Sequence, residues 1–396
     1  MNNFINNFFK KINKKILWIF FIILILITAV SIIHSFKLAN NSLTGGGVDF
    51  QFSPTLLFLE GINPYQYFID GNRDNKIFYA QWPSYSHLIH ILIYPFTFFE
   101  WETARLLWYI SNLILSLISI IIISNYLKLN LYETLIASLF FFCSSPFRNC
   151  ISTGNQTFII LFIFLGLLIK HKDLRNSFVG ISFIKYNFSP ILAFYIYFKH
   201  GFRGLFFALI TCTLGWLFFS YYLNENIFVT LFQPIKVALV AFYQESSRGD
   251  VFTILGIFKI FNNINNFDIY RILVVILLSS IVAKDISKLK NNFDALNLIL
   301  LSSLFLFPHL MYDFIVLLPC FLYSLSKRDK IEGKISLIIV FYFWIGIRLK
   351  DYLLYFIFNK NIILSPISNV SDFQVIFNCI VLMTLYYFNK KLILNK

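Results

Sequence analysis

Charge is scarce in this chain. Only 13% of its 396 residues are Asp, Glu, Lys or Arg, 58% are hydrophobic, and the mean hydropathy is +0.72. Soluble domains carry about a quarter charged residues, so the composition excludes a soluble fold and indicates a polytopic membrane protein. Cysteine is equally thin. Cys143, Cys150, Cys212, Cys320 and Cys379 fall in or beside apolar segments, are odd in number and show no CxxC spacing. That excludes a disulfide framework and a zinc ribbon. His309 and Asp313 stand four residues apart, as two metal ligands could, but no further His clusters with them, so no metal is expected. No cleavable signal peptide is expected either. Residues 16–36 are too long and apolar for an h-region and no small-residue cleavage site follows, so they read as a first transmembrane helix. There is no internal repeat, no solvated domain and no low-complexity linker. Aromatics abound (50 Phe, 22 Tyr), but beside so much Ile, Asn and Lys they read as compositional bias.

What is present is a series of hydrophobic runs. They predict helices over 16–36, 104–125, 131–147, 153–170, 176–186, 188–198, 203–223, 268–284, 293–306, 312–326, 335–348 and 372–388. Ser189-Pro190 separates the fifth from the sixth, because proline breaks a helix interior. With both termini cytoplasmic, the inner segments at 10–15, 128, 170–175, 199–203, 284–290, 327–334 and 390–396 hold 20 of the 33 basic residues. Against them stand only Glu133, Asp173, Asp285, Asp294, Asp329 and Glu332, while the outer segments balance acid against base. The whole net charge of +14 therefore falls on one side, as the positive-inside rule requires. The basic balance reports topology and contact with anionic lipid, with no need for nucleic acid. The expected fold is an all-α polytopic membrane protein of about 12 transmembrane helices, a single integral domain over 1–396. Its outer segments are 37–103, 224–267 and 349–371. The stretch 86–99, with His87 and His90, reads as an interfacial helix within a long first outer loop.

Four polar clusters fall on the outer face under this topology. The first is Asp49, preceded by Gly45, Gly46 and Gly47 and followed in the same loop by Glu60, Tyr65, Asp70, Arg73, Asp74, Lys76 and Tyr85. Glycines let a backbone approach a ligand closely; equally, Asp49 would cap a short helix from Phe50 onward. The second runs from Pro146-Phe147-Arg148 to Gly154-Asn155-Gln156 and reads as a polar connection suited to phosphate or sugar hydroxyls, or as an ordinary turn. The third is Lys185, set ten residues into an apolar helix, where an ionisable side chain costs about 3 kcal/mol on insertion scales. Snorkelling to the interface is the plain alternative. The fourth is Pro308-His309-Leu310-Met311-Tyr312-Asp313. His309 and Asp313 share a face if this turn is helical, and Asp313 could pair with Lys185 or simply lock two helices.

These residues stand in a recognisable order: Asp49-Phe50 after the first helix, Gly61 to Tyr65 as Gly-x-x-Pro-Tyr, and Tyr79 to Pro95 with an aromatic-Pro run. Ala104 to Asn112 with Leu107-Trp108, Gly154-Asn155-Gln156, Lys185 and Pro308-His309 follow. From about residue 16 to 326 the chain resembles glycosyltransferase family 87, the polyprenyl-phosphate-mannose-dependent mannosyltransferases of the GT-C superfamily. It departs in three places: Asn155 stands inside the usual Gly-Gln, the usual Lys-x-x-Pro is stretched to Lys185 and Pro190, and no Tyr follows Asp49-Phe50 closely.

The resemblance implies a GT-C fold with a catalytic module over 1–223 and variable C-terminal helices over 224–396. It also implies residence in the cell inner (cytoplasmic) membrane and an extracytoplasmic active site. The catalytic Asp of the family falls on Asp49, and the late Pro-His falls on Pro308-His309, near the donor phosphate. The implied partners are a polyprenyl-phosphate sugar donor, a glycolipid or glycan acceptor and the lipid bilayer, with no cofactor. Candidate substrate contacts are Tyr65, Tyr85, Arg148, Gln156, Lys185, His309 and Asp313. Two other classes remain open on the sequence. An envelope glycan polymerase, ligase or flippase would share the lipid-sugar substrate, but a polymerase or ligase should centre on a late outer loop rich in Arg and His. Loop 224–267 has only Lys236, Arg248 and Lys259 and no His. A secondary transporter should show repeated halves, and none are visible.

Overall fold

Apolar runs in this chain become helices, and most of those helices are interrupted. The computed structural model describes residues 14–40, 49–72, 83–244, 268–307, 309–347, 349 and 372–395. Among the described residues every regular element is helical. By length and composition, Trp101–Leu127 can cross a membrane, Ser189–Tyr222 has the length and apolar content to do so although it breaks at Gly201, and Leu131–Cys143 with Ser145–Ser152 makes a third if that bent pair is one span. The chain is an all-α membrane protein.

Trp101–Leu127 shows the logic most plainly. Its 27 residues reach about 40 Å, more than the ~30 Å hydrocarbon thickness. One stripe (Ala104, Trp108, Asn112, Ser116, Ile120, Ile123) is buried at helical spacing. Ile110, Ile114, Leu117 and Ile121 on the other face are exposed, an arrangement that suits lipid and would be unfavourable in water.

The interruptions have local causes. Ser144 is extended and caps the next helix through Phe147 N (3.2 Å), and with Pro146 in the first turn the chain bends by 55°. The connection expected over 146–156 is therefore largely the helix Ser145–Ser152. Ser189–Tyr222 starts with Pro190 in its first turn and breaks at Gly201, whose φ of 71° and ψ of −168° are open to glycine. Pro190 and Ala193 share one cavity with Leu209, Thr213 and Trp216, so the segments on either side of Gly201 lie side by side. They match the two helices expected over 188–198 and 203–223.

Three expectations are corrected. Lys185 does not sit inside a helix: Lys172–Gly180 runs into a 3-10 turn over Ile181–Ile184, and Lys185 itself is extended. Loop 224–267 is not irregular at its start, because Ile227–Gln244 is a helix in spite of Gln233, Pro234 and Lys236. The helix expected over 312–326 is a 3-10 turn, Met311–Leu317, leading into Leu318–Ser326. Leu88–Ile93 with the 3-10 turn Tyr94–Phe98 is too short to cross a bilayer.

Turn-to-turn bonds define the two ends of the bundle. At one end Tyr126 reaches Asn291 (2.8 Å), Arg328 pairs with Glu133, Lys390 pairs with Asp285, and Lys199 donates to Ser287 O (2.9 Å). These are the basic segments that the charge count put on one side. At the other end Trp108 donates to Gly154 O (3.0 Å), Ser86 N to Ile184 O (3.0 Å), and Tyr222 to Leu59 O (2.9 Å). Asp49 and its helix belong to this second end.

Helices also touch through small residues. A Cβ on Gly180 would stand 1.9 Å from the carbonyl oxygen of Ala208, on backbone that cannot yield as a side chain would. Gly180→Ala should therefore destabilise the fold by about 1–3 kcal/mol, read as a lower Tm in detergent; an unchanged Tm would show that the two helices are free to separate.

Candidate active site

Gly45, Gly46 and Gly47 lie outside the described residues, as do Arg73, Asp74, Lys76 and Pro308. Asp49 opens a tight turn. Its carbonyl accepts from Phe52 N (2.7 Å) while Phe50 and Gln51 take φ values of 39° and 70°. Neither is glycine, and residues held in that region cost on the order of 1–3 kcal/mol each. The turn delays the helix to Phe52–Leu59, two residues later than a start at Phe50. It also divides the carboxylate's tasks. Oδ1 accepts from Ser53 N at 2.7 Å and caps the helix, whereas Oδ2, fully buried, has no hydrogen-bond partner. Burial pushes the Asp49 carboxyl up to about 7, outweighing the hydrogen bonds from Ser53 and Phe52 that hold it down. Glu60 and Asp70 of the same loop are exposed.

Phe50 anchors the turn. Its buried ring stacks on Trp101 (centroids 5.7 Å apart) and on Trp108 (5.0 Å). The guanidinium of Arg105, one helical turn on from Trp101, lies 5.5 Å from the Trp101 ring centroid. Sequence reading passed over Arg105, although a basic residue in the first turn of an apolar span is a visible signal.

The second group is built from three interrupted helices. Lys185 Nζ donates to Asn155 Oδ1 (3.1 Å), to Thr157 Oγ1 (2.7 Å) and to Asp313 Oδ1, so its three hydrogens are all taken. Asp313 Oδ1 also accepts from Thr157 Oγ1 (2.7 Å), and Oδ2 faces His309 Nδ1 at 2.9 Å. Asn187 Nδ2 reaches the same His309 nitrogen at 3.0 Å. A carbonyl only accepts, so the contact between His309 Nε2 and Ser303 O (3.1 Å) places a proton on Nε2. Thr157 and Asn187 complete this group, and nothing about their spacing advertised it.

The two groups are neighbours through Trp108. Phe50 follows Asp49 and stacks on Trp108; Trp108 Nε1 bonds Gly154 O; Asn155 is the next residue and bonds Lys185. Tyr85 joins from the first loop, its hydroxyl accepting from Asn155 Nδ2 (3.3 Å) and its carbonyl accepting from the Tyr65 hydroxyl (2.9 Å). His90 then bridges Tyr65 (3.2 Å) to Thr55 (3.1 Å) on the Asp49 helix. Tyr65, Tyr85, Lys185, His309 and Asp313 thus belong to one connected network. Arg148 is set apart on Ser145–Ser152, where Nη2 bonds Ser145 Oγ (3.4 Å). Gln156 is buried with neither amide atom partnered, and so is Asn112, one turn beyond Trp108. Such groups cost about 1–3 kcal/mol unless something else satisfies them. No three His, Cys, Asp or Glu side chains among the described residues gather to hold a metal.

Beside the network runs a largely apolar groove of 440 Å³, lined among others by Ser86, His87, Tyr186, Ala193, Trp216 and Ile235. Burial pushes His87 down to about 3, so the groove wall is uncharged at neutral pH.

The sequence profile of glycosyltransferase family 87 matches residues 84–308, more than half of the chain. The chain belongs to that family. No curated protein and no solved structure matches it. Membership makes this a membrane glycosyltransferase, with a sugar donor and an acceptor as its substrates. Of the family 87 chain's candidate residues, Tyr85, Arg148, Gln156 and Lys185 lie inside the matched span; Asp49, Tyr65, His309 and Asp313 flank it.

Proposed function

We propose that this family 87 glycosyltransferase moves a hexose, mannose by family resemblance, from a polyprenyl-phosphate donor to a lipid-linked or envelope glycan acceptor. In this reading the fold is of the GT-C type, the membrane is the cytoplasmic membrane with both termini inside, and the reaction takes place on the outer face. The observation that carries it is Asp49: a fully buried carboxylate with one oxygen tied to Ser53 N and the other unpartnered, and with a pKa pushed up to about 7. That is the protonation range a general base needs.

The chemistry needs one base. The acceptor hydroxyl attacks C1 of the sugar and gives its proton to Asp49 Oδ2. The C1–O bond to the phosphate breaks through an oxocarbenium-like transition state, and the anomeric centre inverts. The leaving group is a lipid phosphate, already a good anion, so neither a general acid nor a cofactor is required. It needs cationic company instead. Arg105, packed on the aromatic stack beside Asp49, and Arg148, held by Ser145 through Nη2, are guanidinium groups of the kind whose fork fits phosphate oxygens. Lys185 is bonded on all sides, so its charge acts on the phosphate through the local field while Asp313 and His309 hold it in place. The unpartnered amides of Gln156 and Asn112 suit sugar hydroxyls.

The groove suits a prenyl chain, being apolar, uncharged and next to Tyr186, which follows Lys185. Ala193→Trp would fill it. The expected result is about a tenfold higher KM for a long-chain polyprenyl-phosphate sugar with kcat preserved, and little change for a short-chain analogue. Equal effects on the two donors would place the chain elsewhere.

A further inference from the structure

The end of the bundle opposite Asp49 holds a cation that its surroundings do not balance. Arg175, on Lys172–Gly180, is only 8% exposed. Its Nη1 donates to Ile169 O at 3.4 Å and its Nη2 to His200 Nε2 at 2.9 Å, while Nε has no partner. A guanidinium only donates, so His200 accepts at Nε2 and brings no negative charge. Among the described residues no carboxylate lies within ion-pair distance of Arg175; Asp173, two residues away, is paired with Arg203 at 2.7 Å.

Two further groups at the same place are unsatisfied. Asn176 is 0% exposed and neither of its amide atoms has a partner. Its Nδ2 lies 3.0 Å from where a Cβ on Gly204 would stand, beside His200. Tyr195 is 1% exposed with an unpartnered hydroxyl, and it lies within the electrostatic reach of Arg175. A buried cation without a counter-charge is costly, and so is each buried polar atom left unpaired. Here they coincide. Lys170, Lys172 and Arg203 stand exposed around them, with Asp173 the one acid between residues 169 and 204.

We infer that Arg175, Asn176, Tyr195 and His200 form a binding site for a phosphate group at the end of the bundle away from the transfer site. Phosphate fits on chemical grounds. It supplies the missing negative charge and several acceptor oxygens, and it suits the guanidinium Nε edge, the amide N–H and the tyrosine hydroxyl together. The phosphate can come from a phospholipid headgroup or from free phosphate. Exposed Leu174 and Phe202 beside the site offer apolar surface for acyl chains. The site is independent of the transfer chemistry and of the identity of the donor.

The test uses the purified full-length protein in detergent, with phosphatidylglycerol, inorganic phosphate and diacylglycerol as probes, read by native mass spectrometry. Phosphatidylglycerol should be retained at least about tenfold over diacylglycerol, and Arg175→Gln and Tyr195→Phe should each lower that retention several-fold. Asp49→Asn should leave it unchanged. If Arg175→Gln does not fold, Tyr195→Phe decides alone, since it removes a single oxygen. Retention of inorganic phosphate without the lipid, lost in the same variants, would support the site with a soluble source. No retention of either phosphate probe above the control, or retention untouched by both substitutions, would overturn the proposal.

Discussion

Asp49→Asn should lower sugar transfer by a factor of about 10² to 10⁴, the usual contribution of a positioned base, while the protein folds normally. The amide oxygen can still accept from Ser53 N, so the helix cap and the turn survive and the loss isolates proton transfer. The pH dependence follows from the same carboxyl. A base must be ionised, and burial pushes Asp49 up to about 7, so the wild-type rate should climb as pH rises through 7 and then level off. Stability should move the opposite way. The unfolded chain loses this proton near 3.8 and the folded chain near 7, so between those values the folded state holds more protons and stability falls as pH rises. The cost of the ionised, buried carboxylate above pH 7 is about 4 kcal/mol. Asp49→Asn should then melt higher than wild type at pH 8 and show little difference at pH 4, a trade of stability for function. Thermal unfolding in detergent at the two pH values checks this, and equal melting at pH 8 would mean that the carboxylate is solvated.

The second large effect belongs to the Lys185–Asp313 pair. Removing one member of a buried ion pair strands the other, at a cost of about 3–5 kcal/mol. Lys185→Met and Asp313→Leu should each destabilise the protein by about that much. The double variant should be far less damaged than their sum, with a coupling of about 1–3 kcal/mol in a double-mutant cycle. Activity separates two roles for Lys185. All of its hydrogens are spent on Asn155, Thr157 and Asp313, so as a lock it can be replaced, and the double variant should recover part of the activity lost by either single one. A stable but inactive double variant would mean that the ammonium contacts the donor phosphate directly.

Some of the pairing around the candidate site was legible in the sequence. Counting charge between apolar runs grouped the segments near 128, 199, 284–290, 327–334 and 390–396, and the structure joins them at one end of the bundle. That same count brought Asp49, Lys185 and the His309–Asp313 turn to a common end, and Lys185 and Asp313 are indeed paired. What escaped was where helices stop. Apolar content runs almost unbroken from 176 to 198, so Lys185 looked helical; the 3-10 turn before it and the extended backbone at Lys185 leave no mark in hydropathy. Ile227–Gln244 escaped for the reverse reason, since Gln233, Pro234 and Lys236 dilute its apolar character although the first two are buried. At Asp49 the glycines drew attention, yet the turn that frees Oδ2 is made by Phe50 and Gln51. Two consecutive positive φ values without glycine can be imposed only by packing, here the seating of Phe50 between Trp101 and Trp108.

The most direct test of the account is to reconstitute the purified protein in liposomes and supply mannose label in two forms. The label arrives either on polyprenyl phosphate or on a nucleotide, with a crude glycolipid fraction as acceptor. The account predicts transfer from the polyprenyl-phosphate donor alone, with an inverted anomeric linkage and with Asp49→Asn inactive. Transfer from the nucleotide sugar, or undiminished transfer by Asp49→Asn, would contradict it.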